Sequence, residues 1–221
     1  MHKTVVDNLI DIKKEIQLKI NKDNNLLLTP KIIAVSKTFP ISDILPLINF
    51  GHLHFGENKV QEALDKWLDI KMNFNHINLH MIGRLQTNKV RHAVKIFDYI
   101  HSLDSEKLAK KIADEQIKLN KRIKIFIQIN IGNEQQKTGV DKNNVLDFYK
   151  YCKSLNLDII GIMCIPPKTM KNKNYFCEMN KMKEKLNLTE LSMGMSEDFL
   201  DATENKSTFL RIGSKIFGKR D

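Results

Sequence analysis

Long apolar runs are missing from this sequence: the longest uncharged apolar stretch, IIGIMCIPP at residues 159–167, is far too short to cross a bilayer. The opening residues, MHKTVVDNLIDIKKEI, carry charges at Asp7, Asp11, Lys13 and Lys14. These interrupt any signal-peptide core, so a cytoplasmic protein is expected. Cysteine is scarce. Cys152, Cys164 and Cys177 are widely spaced, odd in number and without a CxxC pair, which argues against a disulfide framework or a zinc site. Gly/Ser linkers, low-complexity blocks and fixed-period repeats are also missing, so one domain over 1–221 is the economical organisation. Acidic charge is the minority sign: 36 Lys and Arg against 26 Asp and Glu leave a net charge of +10. That excess raises nucleic acid as a partner, yet it is scattered among acidic residues and asparagines, as in KKIADEQIKLNKR. With no recognition motif or aromatic stacking platform beside it, nucleic-acid binding is disfavoured, and attraction of small anions is the milder consequence.

What is present is an alternation. Val5, Leu9, Ile12, Ile16 and Ile20 recur at spacings of three and four, which predicts an amphipathic helix within an N-terminal segment, 1–30. Eight short apolar runs follow: IIAVSK (32–37), HLHFGE (52–57), LHMIGR (79–84), YIHSLD (99–104), KIFIQINI (124–131), IIGIMCI (159–165), ELSMGM (190–195) and FLRIGSKIF (209–217). Between them lie helical patterns, with Val60, Ala63, Leu64 and Trp67 on one, Val90, Ala93, Val94 and Phe97 on another, and Leu108, Ile112 and Ile117 on a third. Ser42, Ser105 and Asp141 are candidate N-caps. Strands alternating with helices imply parallel pairing. A (β/α)₈ TIM barrel over 31–221 with an additional N-terminal helix satisfies the pattern, and a doubly wound open sheet shares it.

In a barrel, chemistry belongs at the C-terminal ends of the strands, with phosphate held after the seventh and eighth. Those places read SMGMSED (192–198) and RIGS (211–214). Gly194 and Gly213 could let backbone N–H groups approach an anion, and Ser196 and Ser214 could donate to it; the plainer role for the glycines is relief of crowding. Arg211 needs an acceptor, either a ligand or a carboxylate such as Glu57. Lys37 closes the apolar run KIIAVSK. It either reaches solvent as the chain turns at Pro40 or serves as a partly desolvated amine that attacks an aldehyde. The phosphorylated aldehyde matching both features is pyridoxal 5′-phosphate (PLP).

The segments AVSKTFP, HFGENKVQEAL, HMIGRLQTNKVR, IHSLD, IQINIGNEQQKTGV, GIMCIPP, LSMGMSEDF and STFLRIGSKIFGKR occur in one order from about residue 31 to 220. In these the chain resembles the pyridoxal phosphate homeostasis proteins, barrels similar to the N-terminal domain of alanine racemase. The resemblance implies PLP held as a Schiff base on Lys37, with Ser196 and the backbone of Gly213 and Ser214 at the phosphate and Arg211 at the pyridine nitrogen. Asn58 and the stretch from Met81 to Gly83 fall where the family lines its pocket. The family often has glycine at the position of Lys206, which leaves the turn there open.

The resemblance also implies a role in intracellular PLP homeostasis as a carrier or buffer, with PLP-dependent apoenzymes as possible recipients. A PLP-dependent amino-acid racemase of low or specialised activity is the alternative. Racemases need a second base, and Tyr99, Tyr149, Tyr151 and Tyr175 show no spacing that nominates one. The end at Asp221 leaves no second domain in expectation. An arginine at the pyridine nitrogen would also weaken the ring as an electron sink. His52 and His54 share a strand face without a third ligand, so no metal is expected. His80 and His101 are expected to hydrogen-bond within the barrel, Glu197 and Asp198 to start a helix, Met163, Met193 and Met195 to fill the core, and Cys164 to be buried and inert. Highly charged helix faces favour a monomer.

Overall fold

Thr4 starts the first helix with a reciprocal cap: its hydroxyl accepts from the Asp7 N–H while the Asp7 carboxylate accepts from the Thr4 N–H. The computed structural model describes residues 3–22, 28–134, 138–167 and 172–218. Within the resemblance segments, 135–137 and the last residues from 219 lie outside that range. Helix α1 (Val5–Asn21) buries Leu9, Ile12 and Ile16, the stripe its spacing predicts.

The strands are β1 (Lys31–Val35), β2 (His54–Glu57), β3 (Asn78–Met81), β4 (Tyr99–Leu103), β5 (Lys124–Asn130), β6 (Val140–Asp141), β7 (Asp158–Cys164), β8 (Glu190–Ser192) and β9 (Phe209–Ile212). Helices α2 (Ile41–Asn49), α3 (Val60–Asn73), α4 (Val90–Ile96), α5 (Glu106–Leu119), α6 (Val145–Ser154), α7 (Asn172–Lys185), α8 (Phe199–Glu204) and α9 (Ser214–Phe217) intervene or follow. All pairings are parallel in the order β4-β3-β2-β1-β9-β8-β7-β5, and a further β4–β5 pairing joins the two ends. The two-residue β6 sits beside β5, outside the ring. Closure excludes the open sheet: the fold is a (β/α)₈ barrel with an added N-terminal helix.

Parallel strands buried on both faces alternate between two cores. Ile32, Ala34, Phe55, Leu79, Met81, Leu210 and Ile212 pack outward with helix residues such as Trp67, Val94 and Ile112. Ile33, Tyr99, Phe126, Met163 and Phe209 fill the barrel itself. Fully burying each such side chain contributes about 1.5–3 kcal/mol, and this, more than helix propensity, holds the outer ring in place.

Several expected boundaries move. The run 209–217 is not one strand, because β9 ends at Ile212 and Ser214–Phe217 turn into α9. The run 190–195 stops pairing at Ser192, and 52–57 starts at His54. Ser105 is the N-cap residue of α5, but Ser42 lies inside α2, which follows Pro40. Asp141 does not cap α6: its carboxylate accepts from the Asn143 N–H in a turn, and Asn144 holds the cap position. Asp198 is the N-cap residue of α8 and accepts from the Met195 N–H. Met163 and Met193 are buried, but Met195 is 37% exposed on the loop after β8, outside the core. Among the described residues, no helix is long and apolar enough to cross a membrane.

Candidate active site

Lys37 stands just beyond β1, at the C-terminal end of the barrel, and the residues on either side of it are held firmly. On one side the Ser36 N–H donates to the Gly56 carbonyl at 3.0 Å, and its hydroxyl donates to Glu57 Oε1 at 2.7 Å. On the other, Thr38 has φ of 70°, a strained conformation for a β-branched residue, with its N–H donating to Glu62 Oε1. Behind this turn, Lys66 Nζ donates to the Ser36 carbonyl, Glu57 and Glu62 at 3.0, 3.0 and 3.1 Å. The Trp67 indole also donates to Glu57 Oε1 at 3.0 Å. Burial raises the Glu57 carboxyl above its usual range, and Trp67, Lys66 and Ser36 pull it back. Sequence reading missed this brace. Glu62 and Lys66, four apart on a helix, look like an ordinary surface pair until the turn after β1 folds onto them.

Arg211 lies on β9 opposite Ile33 of β1 and is buried in the barrel interior. Its Nη1 donates to Ser192 Oγ and its Nη2 to the Cys164 carbonyl, both at 2.7 Å. The expected alternative, an ion pair with Glu57, is not formed: Glu57 points to the outer layer and pairs with Lys66 at 3.0 Å. Burial lowers the Arg211 pKa, with Cys164 and Asp198 opposing it, yet a guanidinium stays charged at neutral pH.

The loops after β8 and β9 meet at Ser196, whose hydroxyl accepts from the Lys215 N–H at 3.3 Å. Gly213 and Ser214 start α9 beside it, and Ser214 is exposed. Gly194 has φ of +89°, and a Cβ there would come within 2.5 Å of Ala202 Cβ. Only glycine fits that turn. Asn58 follows β2 and abuts Gly83, where a Cβ would meet the Asn58 carbonyl oxygen at 2.4 Å. Met81 packs its side chain into the outer core with Leu79, so only its backbone can line the mouth.

Below Arg211 runs a column that residue spacing did not reveal. Ser192 Oγ is 2.9 Å from His101 Nδ1, His101 Nε2 is 2.9 Å from His80 Nδ1, and His80 Nε2 is 2.9 Å from His54 Nδ1. The rings are stacked on aromatic neighbours, His80 on Tyr99 and His101 on Phe126, each with centroids 4.2 Å apart. Burial pushes His80 and His101 well below the usual imidazole range and His54 to about 4. His52 is also lowered to about 4 by burial, and its Nε2 donates to the His54 carbonyl at 2.9 Å. It does not converge with His54 on a common point. No metal-holding cluster occurs among the described residues. Cys164 is buried, which drives its thiol up to about 12.

Residues 15–221 match the family model of the alanine racemase N-terminal domain. The chain is 34% identical over 229 residues to the pyridoxal phosphate homeostasis protein of Pasteurella multocida, covering 99% of this chain and 98% of that one. The same-named protein of Aquifex aeolicus is 37% identical over 200 residues, covering 86% and 87%. PipY of Synechococcus elongatus has been solved without PLP and with PLP bound. At 31% identity these structures have TM-scores of 0.82 and 0.78 and cover 93% and 92% of this chain and 100% of each of theirs.

Proposed function

The chain belongs to the alanine racemase N-terminal domain family, among its pyridoxal phosphate homeostasis proteins, and on that premise we propose that it holds PLP as a Schiff base on Lys37. The observation that carries this reading is what stands at the ends of three adjacent strands, β8, β9 and β1. There a primary amine, a buried guanidinium with neutral partners and a serine hydroxyl share one end of the barrel. These groups fit the ligand: an amine for an aldehyde, hydroxyl and N–H donors for a phosphate, and a guanidinium for a pyridine nitrogen.

Bound there, PLP would supply a carbonyl that captures amines and a ring that withdraws electrons. Lys37 provides the attaching nitrogen, and the Glu57–Lys66–Trp67 brace keeps its turn in place. Ser196, with the backbone of Gly213 and Ser214, holds the phosphate end; Asn58 and Gly83 border the ring. Arg211 carries no proton that it readily gives up, so it leaves the ring nitrogen unprotonated and the ring a weak electron sink. That favours a carrier or buffer in intracellular PLP homeostasis over a racemase. The positions of the tyrosines support the same side. Tyr149, Tyr151 and Tyr175 pack against the outer core, and Tyr99 starts β4 at the far end of the barrel, so none is poised as a second base.

The test is to add PLP, record the absorption spectrum, reduce with borohydride and map the labelled peptide. A long-wavelength band and a pyridoxyl group on Lys37, both lost in Lys37→Ala, are expected. Label scattered over surface lysines would refute the reading. Rapid Lys37-dependent deuterium exchange at the α-carbon of an added amino acid would overturn the carrier role in favour of racemisation.

A further inference from the structure

We infer that His54, His80, His101 and Ser192 form a hydrogen-bond column of fixed polarity, which serves Arg211 as a neutral substitute for a carboxylate. The polarity follows from donor counting. A guanidinium only donates, so Arg211 Nη1 occupies a lone pair of Ser192 Oγ. The Ser192 hydroxyl proton then needs an acceptor, and His101 Nδ1 at 2.9 Å is the one in reach. His101 must therefore carry its proton on Nε2, which donates to His80 Nδ1, and His80 Nε2–H donates to His54 Nδ1. His54 in turn carries Nε2–H, at the N-terminal end of β2 where the ring is only partly buried and water can accept. Running the column the other way strands a buried hydroxyl proton at Ser192, which is fully enclosed.

Electrostatics favours the same direction. Among the described residues no carboxylate lies within salt-bridge distance of Arg211, and a buried cation needs negative ends aimed at it. In this polarity the imidazole lone pairs and the Ser192 oxygen all point toward the guanidinium, and aligned hydrogen bonds polarise one another. A carboxylate in the same place would neutralise Arg211; the column stabilises it and leaves its charge directed at the mouth. Other groups that act on the column are Lys31 and Lys124, which disfavour charge on His54, Asp98, which favours it, and His52, which with Lys31 disfavours charge on His80; the Asp198 carboxylate acts on Arg211 from beyond salt-bridge distance. Lys31 is engaged with Glu190 and the Phe209 ring, and Lys124 with Tyr99. Tyr99, Phe126 and Phe209 wall the column against water. The three histidines are positioning residues that act through Ser192 on Arg211. Their effect on a bound ring rests on the PLP reading; their polarity does not.

Long-range ¹H–¹⁵N correlation of the PLP-free protein at pH 7 reads each tautomer directly. His54, His80 and His101 are expected to be neutral with the proton on Nε2. Ser192→Ala and Arg211→Met, which remove the group that sets the direction, are expected to give His101 a mixed tautomer. An Nδ1–H tautomer or an imidazolium at His80 or His101 in the wild type would overturn the proposal, and no variant has to fold for that result. PLP titration supplies the second readout. His80→Phe keeps the stack on Tyr99 but cuts the column, and it is expected to weaken PLP binding about five- to tenfold, the worth of roughly one hydrogen bond. Unchanged PLP affinity in His80→Phe would refute the link to Arg211. Uniform Nε2–H tautomers in a wild type that binds no PLP would bear out the column and instead defeat the cofactor reading.

Discussion

Lys66→Met should be among the most damaging conservative changes outside the mouth, and the reason can be counted. The Lys66 side chain is 10% exposed and its ammonium makes three hydrogen bonds, to Ser36 O, Glu57 and Glu62. Methionine keeps most of the stem, so packing changes little and the loss is electrostatic. Glu57, fully buried, is left with Ser36 and Trp67 on Oε1, while its Oε2 has no partner even in the wild type. Removing one member of a buried pair costs about 3–5 kcal/mol; proton uptake by Glu57 limits it, so about 3 kcal/mol is expected at pH 7. With a urea m-value of roughly 3 kcal/mol/M, the midpoint falls by about 1 M. The sign with pH is defined. A carboxyl whose folded-state pKa is raised loses stability as pH rises through that raised value, so the gap between variant and wild type should narrow as pH falls toward 5. Glu57→Gln in the Lys66→Met background removes the stranded charge and should recover most of the loss. A loss below about 1 kcal/mol in Lys66→Met, or a double variant no better than the single, would refute the reasoning.

Three further outcomes are expected. His52, His54, His80 and His101 have imidazoles depressed below 6.5, so the unfolded chain binds more protons and stability falls as pH drops from 6.5 toward 4. Each contributes up to about 1.4 kcal/mol per pH unit, and His80→Phe should cut the slope of urea stability against pH by one proton. Cys152 and Cys164 are buried with thiols near 12, whereas Cys177 is exposed. A disulfide thiol reagent at pH 8 should therefore modify Cys177 alone until denaturant exposes the others. Gly194→Ala should cost about 2–3 kcal/mol by urea denaturation, from both the positive φ and the contact with Ala202. Gly51→Ala, at φ of +87° in open space, isolates the backbone part and should cost about 1 kcal/mol.

Much of the architecture was legible because it rests on local periodicity. The stripe on α1 and the apolar runs of β1, β5 and β7 have one sensible burial pattern each. Boundaries were less legible where a glycine or turn ends pairing inside an apolar run, as at Gly213 after β9 and at Met193 after β8. Lys37, Ser196 and Arg211 stood out as residue types in unusual places. The groups that brace the turn at Lys37 did not. Ser36 follows β1, Glu57 ends β2, and Glu62 and Lys66 lie on α3, so no spacing joins the helical pair to the other two.

By itself the sequence determined the alternation of strand and helix, the two-faced burial of the strands and the end of the barrel where polar chemistry collects. Each follows from side-chain period and turn residues acting over a few positions. Only the tertiary structure decided that the sheet closes, through β4 meeting β5, and that Arg211 rests on Ser192 and Cys164 and not on Glu57. It alone aligned His54, His80 and His101, which stand on three strands in one file. Strand parity sends each of these side chains inward, but the stagger of a closed barrel sets their heights, and hydrogen bonds form only when those heights agree.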